Sequence, residues 1–124
     1  MKNDVLNRIQ TGREGEDLAV NFLIQHKVKI LDRNVRTAHG EIDIIGEKDG
    51  CTIFFEVKTR RTRSFGYPET AVNSRKQEHM VNSAYAYLQE QNTLDHPWRI
   101  DVIAINLFSS YKPNIEWFQN AITG

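Results

Sequence analysis

The 124-residue sequence, with 40% hydrophobic and 26% charged side chains, has the composition of an ordinary globular protein, which excludes the disordered and fibrous classes. Roughly two-thirds of the surface of a chain this long is buried on folding, which supports one core, so we expect a single domain over residues 1–124, with no membrane span or signal peptide, in the cytoplasm. The 16 basic and 16 acidic residues argue against nucleic-acid binding by bulk charge alone, and the single Cys51 excludes an internal disulfide and a multi-cysteine metal site.

The first predicted element is a helix that begins at Thr11 and runs to about His26. Residues 11–14, Thr-Gly-Arg-Glu, have the form of a capping box, in which the Thr hydroxyl and the Glu carboxylate bond each other's backbone donors. At about 100° per residue the apolar side chains between residues 18 and 23 form one stripe. Glu16 falls at the border of that stripe, so we expect it to lie beside the buried face.

A pair of strands is predicted next, over residues 27–35 and 40–46. Apolar and acidic residues alternate with period two in the second of them, which is typical of a strand. This alternation predicts that Ile42 and Ile44 face one side of the sheet. Asp43 is then expected on the other side.

A third strand is predicted over residues 51–58, after a hairpin turn indicated by the pair Asp49-Gly50. Glu56 and Lys58 share one face of this strand with Phe54. The opposite face is lined by Ile53, Phe55 and Val57. Apolar side chains on both faces indicate a covered strand, in which unpaired charge is uncommon.

The second half of the chain contains a predicted surface loop over residues 59–70 and a helix that begins at Ser74 with another capping-box pattern and ends near residue 91. Lys76 precedes Met80 by one helical turn and is therefore expected to lean toward the core. The remaining strands are predicted over residues 98–107 and 115–118. The resulting order is α-β-β-β-α-β-β.

Pairing of the second and third strands would bring Asp43 and Glu56 onto neighbouring strands. Two carboxylates about 4 Å apart in an effective dielectric of about 20 repel by roughly 4 kcal/mol. One of them is therefore protonated, or a cation lies between them, or Lys58 compensates their charge. Oxygen ligands without Cys or His favour a hard ion, Mg²⁺ or Mn²⁺.

These residues support a hypothesis of phosphodiester hydrolysis. Asp43, Glu56 and the backbone carbonyl of Val57 would hold the ion, and Glu16 would support it directly or through water. Lys58 would orient the attacking water or stabilise the transition state. Taken singly, each side chain has an ordinary interpretation: a solvated sheet face, an exposed ion pair or a charge that complements the helix dipole.

A basic segment follows the proposed catalytic strand. Residues 58–76 carry six basic side chains and one acidic one. The side chains suited to phosphate contact and to stacking on unpaired bases are Arg60, Arg61, Arg63, Arg75 and Lys76 with Phe65 and Tyr67. A solvated loop is the alternative interpretation.

The ordered motifs in residues 12–16 (GREGE), 40–45 (GEIDII), 55–60 (FEVKTR) and 99–103 (RIDVI) resemble the PD-(D/E)XK nuclease superfamily, in particular the small bacterial YraN family. More distantly, the sequence is similar to archaeal Holliday-junction resolvases. The resemblance implies a restriction-endonuclease-like αβββαβ core with a single mixed sheet flanked by helices. It also implies that Glu16, Asp43, Glu56 and Lys58 are the acidic triad and lysine, with Ile42 where the superfamily name expects proline.

The leading functional hypothesis is thus a Mg²⁺- or Mn²⁺-dependent endonuclease acting on DNA, including branched or single-stranded structures. One alternative is a non-catalytic nucleic-acid-binding or adaptor protein on the same fold. Another is that the carboxylates form a structural ion-pair network with Lys58. A homodimer is left open, because a resolvase needs two active sites.

Overall fold

The computed structural model describes residues 2–60, 74–107 and 112–122, with side chains from residue 12 onward. Its elements follow the predicted order. They are α1 (Lys2–Gln25), β1 (Lys29–Thr37), β2 (Gly40–Lys48), β3 (Cys51–Arg60), α2 (Ser74–Glu90), β4 (Trp98–Asn106) and β5 (Asn114–Ile122). Within the described residues, no helix is long and apolar enough to cross a membrane.

The strands form one five-stranded sheet in the order β1-β2-β3-β4-β5. Strands β3 and β4 run parallel, and the other neighbours are antiparallel. Parallel neighbours need a crossover connection, and α2 lies between them in the chain. This mixed sheet with helices confirms the predicted fold class and is consistent with a restriction-endonuclease-like core.

Each helix packs against its own hydrophobic cluster on the sheet. Side chains of α1 pack with Ile44, Ile53 and Phe55, whereas those of α2 pack with Ile45 and Phe54. The adjacent residues Phe54 and Phe55 therefore point to opposite faces, as predicted for a strand covered on both sides. Burial of each ring contributes roughly 1.5–3 kcal/mol.

The start of α1 differs from the prediction, because the helix begins at Lys2 and not at Thr11. A capping-box pattern shows only that a helix can begin there. Glycine inside a helix costs about 1 kcal/mol relative to alanine, which does not stop a helix that continues on both sides. Gly12 and Gly15 are accordingly helical.

The end of α1 sets where β1 begins. Lys27 adopts a left-handed φ of 68°. The Val28 N–H donates to the Leu23 carbonyl at 2.9 Å and the Lys27 N–H to the Ile24 carbonyl at 3.1 Å, the hydrogen bonds of a Schellman motif. This turn occupies the residues that we predicted as the start of β1, so the strand begins at Lys29.

Strand β5 is longer than predicted, because it continues past Phe118 to Ile122. Its pairing with β4 shifts register between Ile100 and Val102, and Asn120 there has a φ of 52°. The carboxylate of Asp101 accepts the N–H of Asn120 at 2.7 Å. A side chain thus replaces the missing ladder hydrogen bond at the bulge, and the strand resumes beyond it.

Candidate active site

The centre of the site is the place where β2 separates from β3. The ladder between these strands runs from Lys48↔Cys51 to Ile44↔Phe55. If it continued in the same register, Ile42 would lie opposite Val57 and accept its N–H. Instead, Oδ2 of Asp43 accepts the Val57 N–H at 2.9 Å.

The side-chain alternation of β2 breaks at the same residue. Ile42 packs in the α2 cluster and Ile44 in the α1 cluster, so the prediction that they share a face was wrong. The register of β1 places Asn34 opposite Asp43, and Asn34 has a φ of 52°. Asparagine adopts this left-handed conformation more readily than most residues. The irregular backbone of both strands therefore frees the Asp43 carboxylate from the regular sheet pattern.

Glu56 lies on the face of β3 that α2 covers, and its side chain is only 7% exposed. Its Oε1 is 3.2 Å from Nζ of Lys58, two residues along the same strand. The same oxygen is 2.8 Å from Nζ of Lys76, on α2. The buried carboxylate is thus compensated by ammonium groups from two elements.

The environment shifts the pKa values of the groups around Glu56. Burial, the charge of Glu56 and a hydrogen bond with Glu56 raise the pKa of Asp43 from 3.8 to about 7, although the Val57 N–H acts in the opposite direction. Burial and the neighbouring Lys76 lower the pKa of Lys58. Burial alone would lower the pKa of Lys76, but its interactions with Glu56 and Lys58 outweigh that effect and raise it. The Asp43 carboxyl can therefore gain or lose a proton near neutral pH.

Glu16 reaches the neighbourhood from α1, on the other face of the sheet. Its Oε1 accepts hydrogen bonds from Nε of Arg33 at 3.0 Å and from Nδ2 of Asn34 at 2.9 Å. Its charge also contributes to the raised pKa of Asp43, so the two carboxylates interact electrostatically. Glu16 is thus beside the site, with one carboxylate oxygen engaged by β1.

Gly15 explains how α1 comes so close to β3. A Cβ atom at this position would overlap the side chain of Thr59, whose Cγ2 would lie 2.8 Å away. The helix can therefore approach the end of β3 only without a side chain here. This contact places the following residue, Glu16, beside the end of β3, on the face that α1 covers.

A comparison with known proteins decides the family. The model of the uncharacterised protein family UPF0102 matches residues 15–105. The chain belongs to this family. A UPF0102 protein of Geobacter metallireducens is 43% identical over 94% of this chain and 94% of its own length. A UPF0102 protein of Geobacter sulfurreducens is 43% identical over 89% of this chain and 86% of its own length. Another, of Syntrophotalea carbinolica, is 46% identical over 79% of this chain and 80% of its own length.

The family assignment confirms the YraN-like part of the resemblance. Of the four residues matched to the superfamily, the structure brings Asp43, Glu56 and Lys58 together and places Glu16 next to them with its own partners on β1. Across residues 12–60, 74–107 and 112–122, no three Asp, Glu, His or Cys side chains already form a metal-holding cluster.

The donor set nevertheless fits a hard cation. Asp43 and Glu56 supply carboxylate oxygens, and in a strand the N–H and carbonyl of one residue point toward the same neighbour. The Val57 carbonyl is therefore directed to the side on which Asp43 bonds the Val57 N–H. Two carboxylates and one carbonyl form the oxygen-only ligand set that Mg²⁺ and Mn²⁺ prefer.

The predicted nucleic-acid contacts are described only in part. Arg60 ends β3, and Arg75 is exposed in the first turn of α2. Lys76 contacts Glu56, so the structure places it in the carboxylate cluster. The other predicted contacts lie outside the described residues: Arg61, Arg63, Phe65 and Tyr67.

Sequence reasoning did not anticipate the roles of Asn34 and Arg33, which fix the Glu16 carboxylate. The available signal was a polar Asn inside a predicted strand. The same residues help line an open cleft of about 520 Å³ between α1 and the β1–β2 hairpin. Its lining comprises Arg13, Glu16, Asp17, Arg33, Asn34, Arg36 and Glu41.

Proposed function

We propose that this UPF0102 protein is a metal-dependent nuclease of the PD-(D/E)XK type that hydrolyses phosphodiester bonds in DNA. The observation that carries the proposal is the contact between Asp43 and Glu56 beside Lys58. A stable core does not need two neighbouring carboxyl groups, and the raised pKa of Asp43 means that Lys58 and Lys76 do not fully offset the repulsion once Asp43 is ionised. A divalent cation bound between them would offset that repulsion, and phosphodiester hydrolysis is a reaction that such a cation and an adjacent ammonium support.

Asp43, Glu56 and the Val57 carbonyl would hold Mg²⁺ or Mn²⁺. Glu16 would act through water, because its Oε1 is engaged by Arg33 and Asn34. The ion, when bound, supplies Lewis-acid stabilisation of the charge that develops on the phosphoryl group.

Lys58 is the proposed hydrogen-bond donor of the reaction. Its ammonium lies next to Glu56, where it would donate to a non-bridging phosphate oxygen or to the attacking water. Burial lowers its pKa, which makes its proton easier to transfer than that of an ordinary lysine.

Basic side chains continue from the site and suit the phosphates of the proposed DNA substrate. Arg60 follows Lys58 on β3, and Arg75 precedes Lys76 on α2. The aromatic residues of the segment between them favour substrates with unpaired bases, such as branched or single-stranded DNA. The proposed location of this activity is the cytoplasm. If the activity is resolvase-like, a homodimer would supply two sites, which light scattering with and without a four-way junction would detect.

A second candidate function is a non-catalytic nucleic-acid-binding or adaptor protein. The favouring observation is that Oε1 of Glu56 already contacts Lys58 and Lys76, which is also how a purely structural ion-pair network would look. In that case Mg²⁺ or Mn²⁺ would not raise the thermal stability, and DNA binding would not depend on Asp43.

The deciding experiment is a cleavage assay with Mg²⁺ or Mn²⁺ on duplex, single-stranded, flap and four-way substrates. Glu56→Ala and Lys58→Ala should each reduce the rate by about 10²–10³-fold, the usual loss when one charge-stabilising group is removed. Glu78→Ala and Lys112→Ala are matched controls, since both residues are exposed. If the site variants cut as fast as the wild type, the activity comes from elsewhere and the nuclease proposal fails.

A further inference from the structure

We infer that Lys76 is a positioning residue that competes with the divalent cation for Glu56 and couples cation binding to DNA binding. This inference rests on the proposed function, because it concerns the same carboxylates. It assigns to α2, which carries Lys76, the coupling between cation binding and DNA binding.

The geometric basis is the sharing of one oxygen. Nζ of Lys76 is 2.8 Å from Oε1 of Glu56, and Nζ of Lys58 is 3.2 Å from the same atom. A carboxylate oxygen with two ammonium donors has little capacity left for a cation ligand bond. A cation that binds Oε1 of Glu56 therefore has to displace at least one ammonium.

Electrostatic repulsion favours the same displacement. A divalent cation between Asp43 and Glu56 would lie close to both lysine charges, and the repulsion between these like charges is strong in a partly buried site. Departure of one ammonium relieves this repulsion. The remaining ammonium then accompanies the cation.

Lys76 is the lysine that can leave. Its side chain is 42% exposed, compared with 21% for Lys58, so its ammonium regains hydration when it turns outward. Lys58 is held on the same strand as Glu56, two residues away, and burial limits its alternatives. Lys76 instead extends from the first turn of α2, on a different element from Glu56, with a long and flexible side chain.

The displaced ammonium remains beside the site and becomes available to a phosphate. Binding of the cation would thus create a cationic contact for DNA, and by linkage DNA would tighten the binding of the cation by the same factor. Without Lys76, the cation would bind more tightly by itself, but the coupling would be weaker.

The test is a titration of the metal-free protein with Mn²⁺ by calorimetry, in the absence and presence of a phosphorothioate oligonucleotide that resists cleavage. Lys76→Met should bind Mn²⁺ about tenfold more tightly than the wild type, a typical size for such coupling. The oligonucleotide should tighten Mn²⁺ binding in the wild type but have little effect in Lys76→Met. Lys76→Arg keeps the charge and should retain the coupling, and Lys112→Met controls for loss of an exposed positive charge outside the predicted DNA contacts.

Equal or weaker Mn²⁺ binding by both Lys76→Met and Lys76→Gln, with native circular dichroism, would overturn the inference. If Asp43→Ala still abolishes Mn²⁺ binding in that case, the proposed metal site stands and only the role of Lys76 fails. If the wild type binds no Mn²⁺, the inference falls together with the metal requirement of the proposed function. The cleavage assay reports on the nuclease proposal separately.

Discussion

Asp43 accepts the backbone N–H of Val57 at the point where the β2–β3 ladder stops, so a side-chain carboxylate takes the place of a main-chain carbonyl. Burial and the neighbouring charge of Glu56 raise the pKa of the same carboxylate. Asp43 therefore has a structural role in closing the end of the ladder and an electrostatic role in the site. An asparagine at this position would keep an oxygen acceptor for Val57 but remove the titration, so the two roles can be separated.

The first prediction concerns the pH dependence of stability in metal-free protein. The pKa of Asp43 is raised from 3.8 to about 7 in the fold, so the unfolded state loses its proton first as the pH rises. The contribution of Asp43 is fully present below about pH 4 and is lost as the pH rises through 7. Relative to Asp43→Asn, the wild type should lose about 2–4 kcal/mol of unfolding free energy over this range.

Urea denaturation at several pH values measures this difference. Asp95→Asn, at an exposed position, should run parallel to the wild type. Excess Mg²⁺ should reduce the wild-type loss near pH 7, because a cation stabilises the ionised carboxylate. Parallel curves for the wild type and Asp43→Asn would show that the pKa is not raised.

The second prediction tests the compensation around Glu56. Glu56→Gln leaves the ammonium groups of Lys58 and Lys76 near each other without a counter-charge, and should destabilise the protein by about 3–5 kcal/mol. The double variant Glu56→Gln/Lys76→Met should be more stable than the single Gln variant, because one of these charges has been removed. Denaturant unfolding of the two single variants and the double variant gives the coupling energy.

The exposed pair Arg36–Glu41, with 3.8 Å between Nε and Oε2, provides the control cycle. Its coupling should stay below about 0.5 kcal/mol, as for most surface ion pairs. Equal coupling energies in the two cycles would mean that burial of Glu56 does not strengthen its contacts.

The third prediction concerns Asp101, which is fully buried at the bulge between β4 and β5. Its carboxylate accepts hydrogen bonds from Arg99 Nε at 3.1 Å, Trp117 Nε1 at 2.8 Å and the Asn120 N–H at 2.7 Å. Asp101→Ala would leave these donors without their acceptor and should cost about 3–5 kcal/mol.

Thermal unfolding followed by tryptophan fluorescence measures this loss, and Trp117, which bonds Asp101, contributes to the signal. Asp95→Ala, at an exposed position, should change the free energy of unfolding by less than about 0.5 kcal/mol. A small effect at Asp101 would contradict the assignment of this network as the support of the β5 bulge.

Residue patterns correctly predicted side-chain faces where a strand is regular, and they were wrong where a contact with another element interrupts the strand. The alternation in β3 correctly separated Glu56 and Lys58 from Phe55, because both faces of that strand are regular. The same alternation failed for Ile42 and Ile44, since the break at Asp43 coincides with a left-handed Asn34 on the neighbouring strand β1, which the pattern of β2 alone does not reveal.

Lys76 shows a related limit of charge patterns. Its place in a basic segment predicted a phosphate contact, whereas its position one turn before Met80 indicated the core side. The fold satisfies the second indication, because α2 packs over Glu56. A block of basic residues is recognised from adjacent positions in the sequence, whereas the burial of each side chain depends on the elements that pack against it in the fold.

The last prediction addresses Gly15, where the contact between α1 and β3 tolerates no side chain. In Gly15→Ala the new methyl group would overlap Thr59, which lies on a central strand and cannot move without disturbing β4. Overpacking of this kind costs about 1–3 kcal/mol or more, and relaxation would displace the helix that carries Glu16. Gly12→Ala is the matched control, because nothing lies within 4 Å of its Cβ position and alanine improves helix propensity by about 1 kcal/mol.

Thermal unfolding should therefore move in opposite directions for the two variants, downward for Gly15→Ala and upward for Gly12→Ala. Displacement of Glu16 should also lower metal-dependent cleavage by Gly15→Ala more than its stability loss explains, measured well below its unfolding midpoint. Gly15→Ala/Thr59→Ala should recover part of both losses, since two of the three overlapping atoms belong to the Thr59 side chain beyond Cβ. Unchanged stability of Gly15→Ala would show that α1 does not rest directly on β3, and the placement of Glu16 beside Asp43 would lose its support.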